Sequence, residues 1–192
     1  KLINLDSEEE GFFLTSCAGG LSLIGTIPVT YEEQDGILCE IDVAGCKGGH
    51  SGTEINKGRA NSNQLMGRVL DALDCGILSL EGGSKDNAIP RFTTGQVLVQ
   101  DVAAGQKCVQ ELEKILRHEY AGVDDAITVK LLPVEEADHR QMCLTKASAR
   151  KVKCALMNLP NGIQAMSADV EGLVETSLNM GVMTLTHDSG SE

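Results

Sequence analysis

At 192 residues the chain is long enough for one domain with a proper core and part of another. Apolar residues make up 42% and charged residues 23%, ordinary for a soluble globular protein, while 3% aromatics leave the core to Leu, Val, Ile, Ala and Met. A formal net charge of −12 argues against nucleic acid and anionic membrane surfaces as partners, and no stretch reaches the length of a membrane span.

In chain order, "LINL" reads as a short apolar strand ending in Asp6, followed by the acidic run "SEEEG" and a turn at "CAGG". "LSLIGTIPVTYEE" is again strand-like, with Pro28 marking an edge or a break. "ILCEIDV" alternates, with Ile37, Cys39, Ile41 and Val43 on one face, which predicts a half-buried strand. The glycine-rich stretch "GCKGGHSGTEINKG" follows. Then Leu65, Met66, Val69, Leu70 and Leu73 recur at helical spacing, predicting a helix over 58–74. "GILSLEGG" is a strand and turn, and "KDNAIPRFTTGQVLVQDV" a second turn and strand. "AAGQKCVQELEKILRHEYAG" predicts a helix with Val109, Leu112, Ile115 and Leu116 inward, closed by Gly122. "AITVKLLPV" is another strand. The order over 37–134 is therefore β-α-β-β-α-β, an α+β, ferredoxin-like unit: an antiparallel sheet with two helices on one face. A further helix is expected over 138–157, a break at "NLPNG", and a loop feeding a strand in "VETSLNMGVMTLT".

The seven cysteines are odd in number, dispersed and never spaced C-x-x-C. That pattern suits free thiols in a reducing, cytoplasmic compartment and small core residues, not a thiolate zinc site. The chain begins without Met inside an apolar run and stops soon after a strand-like segment, so it is expected to be a piece of a longer protein.

Three places are able to carry chemistry. Asp6 ends an apolar strand, a position from which a carboxylate projects with few rotatable bonds and can ligate zinc; it can equally cap the next segment, with Glu8, Glu9 and Glu10 as a solvated acidic run. His50 stands in "GGHSG", where glycines permit a close backbone approach and an imidazole can donate to a developing oxyanion or bind metal; a plain glycine-rich strand-to-helix turn with an exposed His explains the same letters. Asn87 and Arg91 flank a turn in "GGSKDNAIPR"; amide and guanidinium can together hold a carboxylate, or be a turn former and a surface cation. His118, near a helix C-terminus, and His139 and His187, among polar unpatterned neighbours, are poorer candidates.

Taken in order, "INLDSEEEG", "CAGG", "GCKGGHSG", "INKGRANSNQL", "GGSKDNAIPR", "PNG" and "VETSLNMGV" resemble the aminoacyl-histidine dipeptidases (Xaa-His dipeptidases, carnosine-cleaving). These sit among the two-zinc peptidases that include carnosinase and carboxypeptidase G. The resemblance implies a catalytic α/β domain holding two zinc ions, with an inserted lid domain that contributes to substrate binding and homodimer contacts. Residues 1–20 would then be the end of a catalytic-domain segment and 21–192 a truncated lid. It also implies that Asp6 ligates zinc, that His50 steadies the scissile carbonyl oxygen, and that Asn87, with Arg91 in the same motif, lies by the dipeptide. The general base and the remaining ligands would lie outside this chain, so Glu8, Glu9 and Glu10 are not the base and the isolated piece is expected to be inert. Two other functions fit the same letters: a non-catalytic oligomerisation or binding module using sheet edges, and a hydrolase of another small amide such as an N-acyl amino acid or a longer peptide.

Overall fold

The computed structural model of the chain describes residues 10, 11, 13 and 19–187. The strand expected at 2–5 and Cys17 lie outside the described residues. The stretch 21–30, expected to be strand-like, has no regular structure; Leu21, Leu23 and Ile24 are almost fully exposed, and among the described residues no strand pairs with 21–29. Among the described residues regular structure begins at β1 (Tyr31–Asp35) and continues into β2 (Ile37–Ala44). A two-residue strand β3 (Gly49–His50) and a single 3-10 turn (Ile55–Lys57) precede helix α1 (Ser62–Ala72). The helix starts four residues later than the apolar spacing suggested, because Asn61 caps it: the Asn61 side-chain oxygen accepts from the backbone N–H groups of Asn63 and Gln64.

Next come β4 (Gly76–Gly82), the two-residue β5 (Ala88–Ile89), β6 (Thr93–Val99), α2 (Val102–Glu119) and β7 (Thr128–Pro133). The expected β-α-β-β-α-β order is borne out by β2, α1, β4, β6, α2 and β7. The region expected to be one helix over 138–157 divides. Arg140–Leu144 forms β8, which pairs antiparallel with β1 from Tyr31↔Leu144 to Asp35↔Arg140, and only then does α3 (Lys146–Asn158) begin. Thr145 separates them as the helix cap, its hydroxyl accepting from the Ser148 N–H. The chain closes with a hairpin, β9 (Gly162–Met166) and β10 (Val174–Leu178), and a short strand β11 (Met183–Leu185).

The main sheet runs β11-β4-β6-β2-β7, antiparallel throughout. Each strand–helix–strand passage brackets a strand of the other, as in the ferredoxin-like arrangement. The helical face of the sheet packs Cys39, Ile41 and Val43 of β2 and Val129 and Leu131 of β7 against Leu65, Met66, Val69 and Leu70 of α1 and Val109 and Leu116 of α2. Ile77 and Leu80 share this face although an odd number of positions separates them, because the β4–β6 register slips between Ile77 and Ser79. Ile115, expected inward, is half exposed: α2 lies over the edge strand β7, and its flank faces outward. Behind the sheet, Leu38, Leu78, Leu98 and Cys143 form a second cluster beneath the β1–β8 ribbon.

The six described cysteines are free, and burial pushes the thiols of Cys46 and Cys75 up to about 12, as expected for core residues. No described helix is long and apolar enough to cross a membrane.

Gly67 sets how closely α3 approaches α1. A β-carbon there would stand 2.6 Å from the Leu156 β-carbon and 3.1 Å from its backbone carbon. Both atoms belong to Leu156 at or next to the α3 backbone, so relief requires α3 itself to move. Gly67→Ala should therefore destabilise the fold by about 1–3 kcal/mol despite the better helix propensity of alanine, read as a lowered midpoint in urea unfolding at unchanged slope.

Candidate active-site face

The glycine-rich stretch leaves β2 and must return to the start of α1 without drifting from the sheet. One buried carboxylate closes it. Asp124, in the turn after α2, accepts from the Lys47 N–H at 2.5 Å and the Ala60 N–H at 2.8 Å, so both ends of the loop hang from a single side chain. Within the loop, Gly48 has φ of 64° and its Cα lies under the aliphatic stem of Arg91; a side chain there would collide with that stem and with the Ile89 carbonyl.

His50 is held twice. Its backbone N–H donates to Glu54 Oε2 at 3.0 Å, and its carbonyl accepts from the Glu54 N–H at 3.0 Å. Its ring nitrogen Nδ1 accepts from the N–H groups of Gly52 at 3.0 Å and Thr53 at 3.2 Å. A nitrogen that accepts carries no proton, so the neutral ring has its hydrogen on Nε2. Glu54 is itself anchored: Oε1 meets Lys57 Nζ at 2.6 Å and Arg59 Nη2 at 3.0 Å, while Arg59 Nη1 donates to the Gly48 carbonyl. The Lys57 ammonium first, then the His50 N–H and the Arg59 guanidinium, hold the Glu54 carboxyl down at about 2.

The β3–β5 pair brings the second motif alongside, with Gly49 opposite Ile89 and His50 opposite Ala88. Ser51 N–H donates to the Asn87 carbonyl at 3.0 Å. His50 and Asn87 are thus neighbours, both with exposed side chains, and Arg91 crosses the loop at Gly48. No ion pair involving Arg91 occurs among the described residues. Three of the four residues singled out in the sequence therefore share one face. The fourth, Asp6, lies outside the described residues, as do Glu8 and Glu9. His187 instead stacks edge-on against Tyr31, with ring centroids 4.5 Å apart.

Sequence reading missed the residues that hold this face together. Asn61, Asn161 and Asn179 meet at the N-terminus of α1: Asn61 Nδ2 is 3.0 Å from Asn161 Oδ1, 3.3 Å from Asn179 Oδ1 and 3.2 Å from the Met180 carbonyl. Asn161 Oδ1 also accepts from the Met180 N–H at 3.0 Å. Beside them, Asn63 Nδ2 donates to the Met180 carbonyl at 3.1 Å, and Thr93 Oγ1 donates to Asn63 Oδ1 at 2.7 Å. The available signal was that "NSNQ", "PNG" and "SLNMG" each carried the resemblance without having a job. Asp124, in the turn "VDDA", had no such signal.

No group of three or more His, Cys, Asp or Glu residues able to hold a metal ion occurs among the described residues. What this face presents is an imidazole with Nδ1 already accepting two N–H groups, an exposed amide and a guanidinium, groups able to donate hydrogen bonds to oxygen atoms.

No protein-family model matches the chain. A curated relative, the cytosol non-specific dipeptidase of Escherichia coli (strain K12), is 35% identical over 98% of the chain. The chain spans 40% of that relative's length. Among solved structures, aminoacylhistidine dipeptidase from Vibrio alginolyticus superposes with a TM-score of 0.68 at 35% identity, covering 84% of this chain and 32% of that one. The resemblance drawn from the motifs is borne out by both, and the spans agree with a piece of a longer protein.

The Glu54 carboxyl binds its proton more weakly folded than unfolded, so its contribution to holding the loop is complete above about pH 4.5 and is lost as the pH falls toward about 2. Hydrogen exchange should show the His50 amide losing protection, after correction for the intrinsic rate, across that window. Glu54→Gln should flatten the dependence.

Proposed function

We propose that this chain is the lid-bearing part of a longer, cytoplasmic two-zinc dipeptidase that cleaves Xaa-His dipeptides with metal-activated water. In this reading residues 1–20 end a catalytic-domain segment and 21–192 belong to the lid. The observation that carries it is the state of His50. With Nδ1 occupied by two backbone donors, Nε2–H faces outward from a loop pinned at both ends, next to Asn87.

Amide hydrolysis places negative charge on the scissile carbonyl oxygen as water adds. A pre-aimed neutral donor stabilises that charge without reorganising at the moment of reaction, which is where such a group acts most strongly. His50 Nε2–H takes that role. Asn87 donates to the bound dipeptide, and Arg91, in the same motif, lies beside it. The bound zinc ions would supply the activated water. In this reading Asp6 is one zinc ligand and the remaining ligands are contributed from elsewhere in the longer protein. One ligand of a two-zinc site binds weakly, and the isolated chain is expected to be inert.

The names of the two relatives support dipeptides as the substrate class; one is called non-specific and the other aminoacylhistidine-directed. That difference concerns the range of dipeptides; hydrolysis of another small amide is the competing reading, and a panel of dipeptides against N-acyl amino acids separates the two. Homodimer formation is supported by β7, whose outer edge pairs with no strand among the described residues. Sedimentation should then show dimers, and a strict monomer at high concentration counts against this assignment.

In the full-length protein, His50→Ala should lower kcat on an Xaa-His dipeptide by about 10²–10³ while zinc content stays unchanged, measured by steady-state kinetics and metal analysis. Unchanged activity would remove the oxyanion role. Asp6→Ala should instead lose metal, and retention of stoichiometric zinc would refute the ligand assignment.

A further inference from the structure

The Asp86–Ala88 turn carries an exposed amide side chain on a backbone that is tied down at every carbonyl. Asn179 Nδ2 donates to the Asp86 carbonyl at 3.1 Å and to the Ala88 carbonyl at 2.8 Å. The carbonyl between them, that of Asn87, accepts from Ser51 N–H at 3.0 Å. Three consecutive carbonyls therefore have partners, and the middle one is shared with the residue after His50. The Asn87 side chain is left outside this ladder and solvent-exposed.

Asn179 uses both of its donors and its oxygen here. Its two amide hydrogens reach the two flanking carbonyls, and its oxygen accepts from Asn61 Nδ2, a buried group that also caps α1. An aspartate has the same shape but no hydrogens to give, and it would set a negative charge against two carbonyl oxygens. Only an amide satisfies all three partners. The connection joins elements some ninety residues apart in sequence, from the loop before β11 to the turn before β5.

We infer that Asn179 is a positioning residue for the Asn87–His50 pair, fixing the backbone on both sides of Asn87 so that the amide and the imidazole present as one unit. This rests on the dipeptidase reading above, in which Asn87 touches the substrate. Because Asn179 acts through Asn87, its loss should weaken substrate binding more than the chemical step.

The test uses the full-length protein and an Xaa-His dipeptide. Asn179→Asp should raise KM by about tenfold with a smaller change in kcat, the scale expected when neutral hydrogen bonds to a contact residue are lost. Asn179→Ala, which removes the donors without adding charge, should raise KM in the same direction. Combining Asn179→Ala with Asn87→Ala should raise KM no further than Asn87→Ala alone. Hydrogen exchange provides a second readout independent of turnover: the Ser51 amide should lose protection in both Asn179 variants. An unchanged KM with unchanged Ser51 protection, or multiplicative effects in the double variant, would overturn the assignment. So would an effect confined to Asp, which would mark charge rather than lost donors as the cause. A wild-type protein that does not cleave dipeptides would sink the underlying reading alone, and Ser51 protection would then decide whether the clamp exists.

Discussion

The buried amide of Asn61 ties together the asparagine segments that support the His50 face. Its oxygen starts α1 by accepting two backbone N–H groups, and its nitrogen reaches the asparagines at 161 and 179. A buried amide is stable only when its partners are present; an orphaned one costs about 1–3 kcal/mol. The helix start, the turn before β9 and the loop before β11 consequently cannot shift independently. Since α1 is packed into the main core through Leu65, Met66 and Val69, the position of the whole face is referred back to the sheet.

The glycine loop shows how a flexible composition yields a fixed geometry. Glycine lowers the steric cost of the path but raises the entropy cost of holding it. That cost is offset at discrete points: Asp124 at the two ends, Glu54 at the His50 backbone, and two N–H groups at the imidazole. On the His50 ring, Nε2 and its hydrogen are left for another partner. The loop is thus loose by sequence and rigid by contact, which is what a donor needs if it is to meet a charge that exists only briefly.

The sheet and its two covering helices were legible because β2, α1 and the inward residues Val109 and Leu116 of α2 follow clean periodicities. β8 was not. "RQMCL" is short and opens on a charge, and its strand character comes from pairing with β1, about a hundred residues earlier. Ile115 was misplaced because periodicity shows which residues share a stripe, not how far the neighbouring sheet extends beneath it. His50 and Asn87 could be singled out because their residue types are unusual among glycines and turn formers. Their supports could not: the hydrogen bonds from Asn61 to Asn161 and Asn179 span 100 and 118 residues, and polar contacts of that range leave no periodic trace.

The strand order has a further consequence, one that concerns time. β2 is the first strand of the sheet to be made, yet its two neighbours are β6 and β7. β7 ends at Pro133, 89 residues after β2 ends at Ala44. At about 5–20 residues per second, a ribosome leaves the central strand without its full set of partners for about 4–18 s. Until β6 is complete at Val99 both edges of β2, which carries Cys39, Ile41 and Val43, lack a partner strand, and the β7 edge stays open until Pro133. The strand that becomes the most protected part of the molecule is, while the chain is growing, the part most in need of a chaperone.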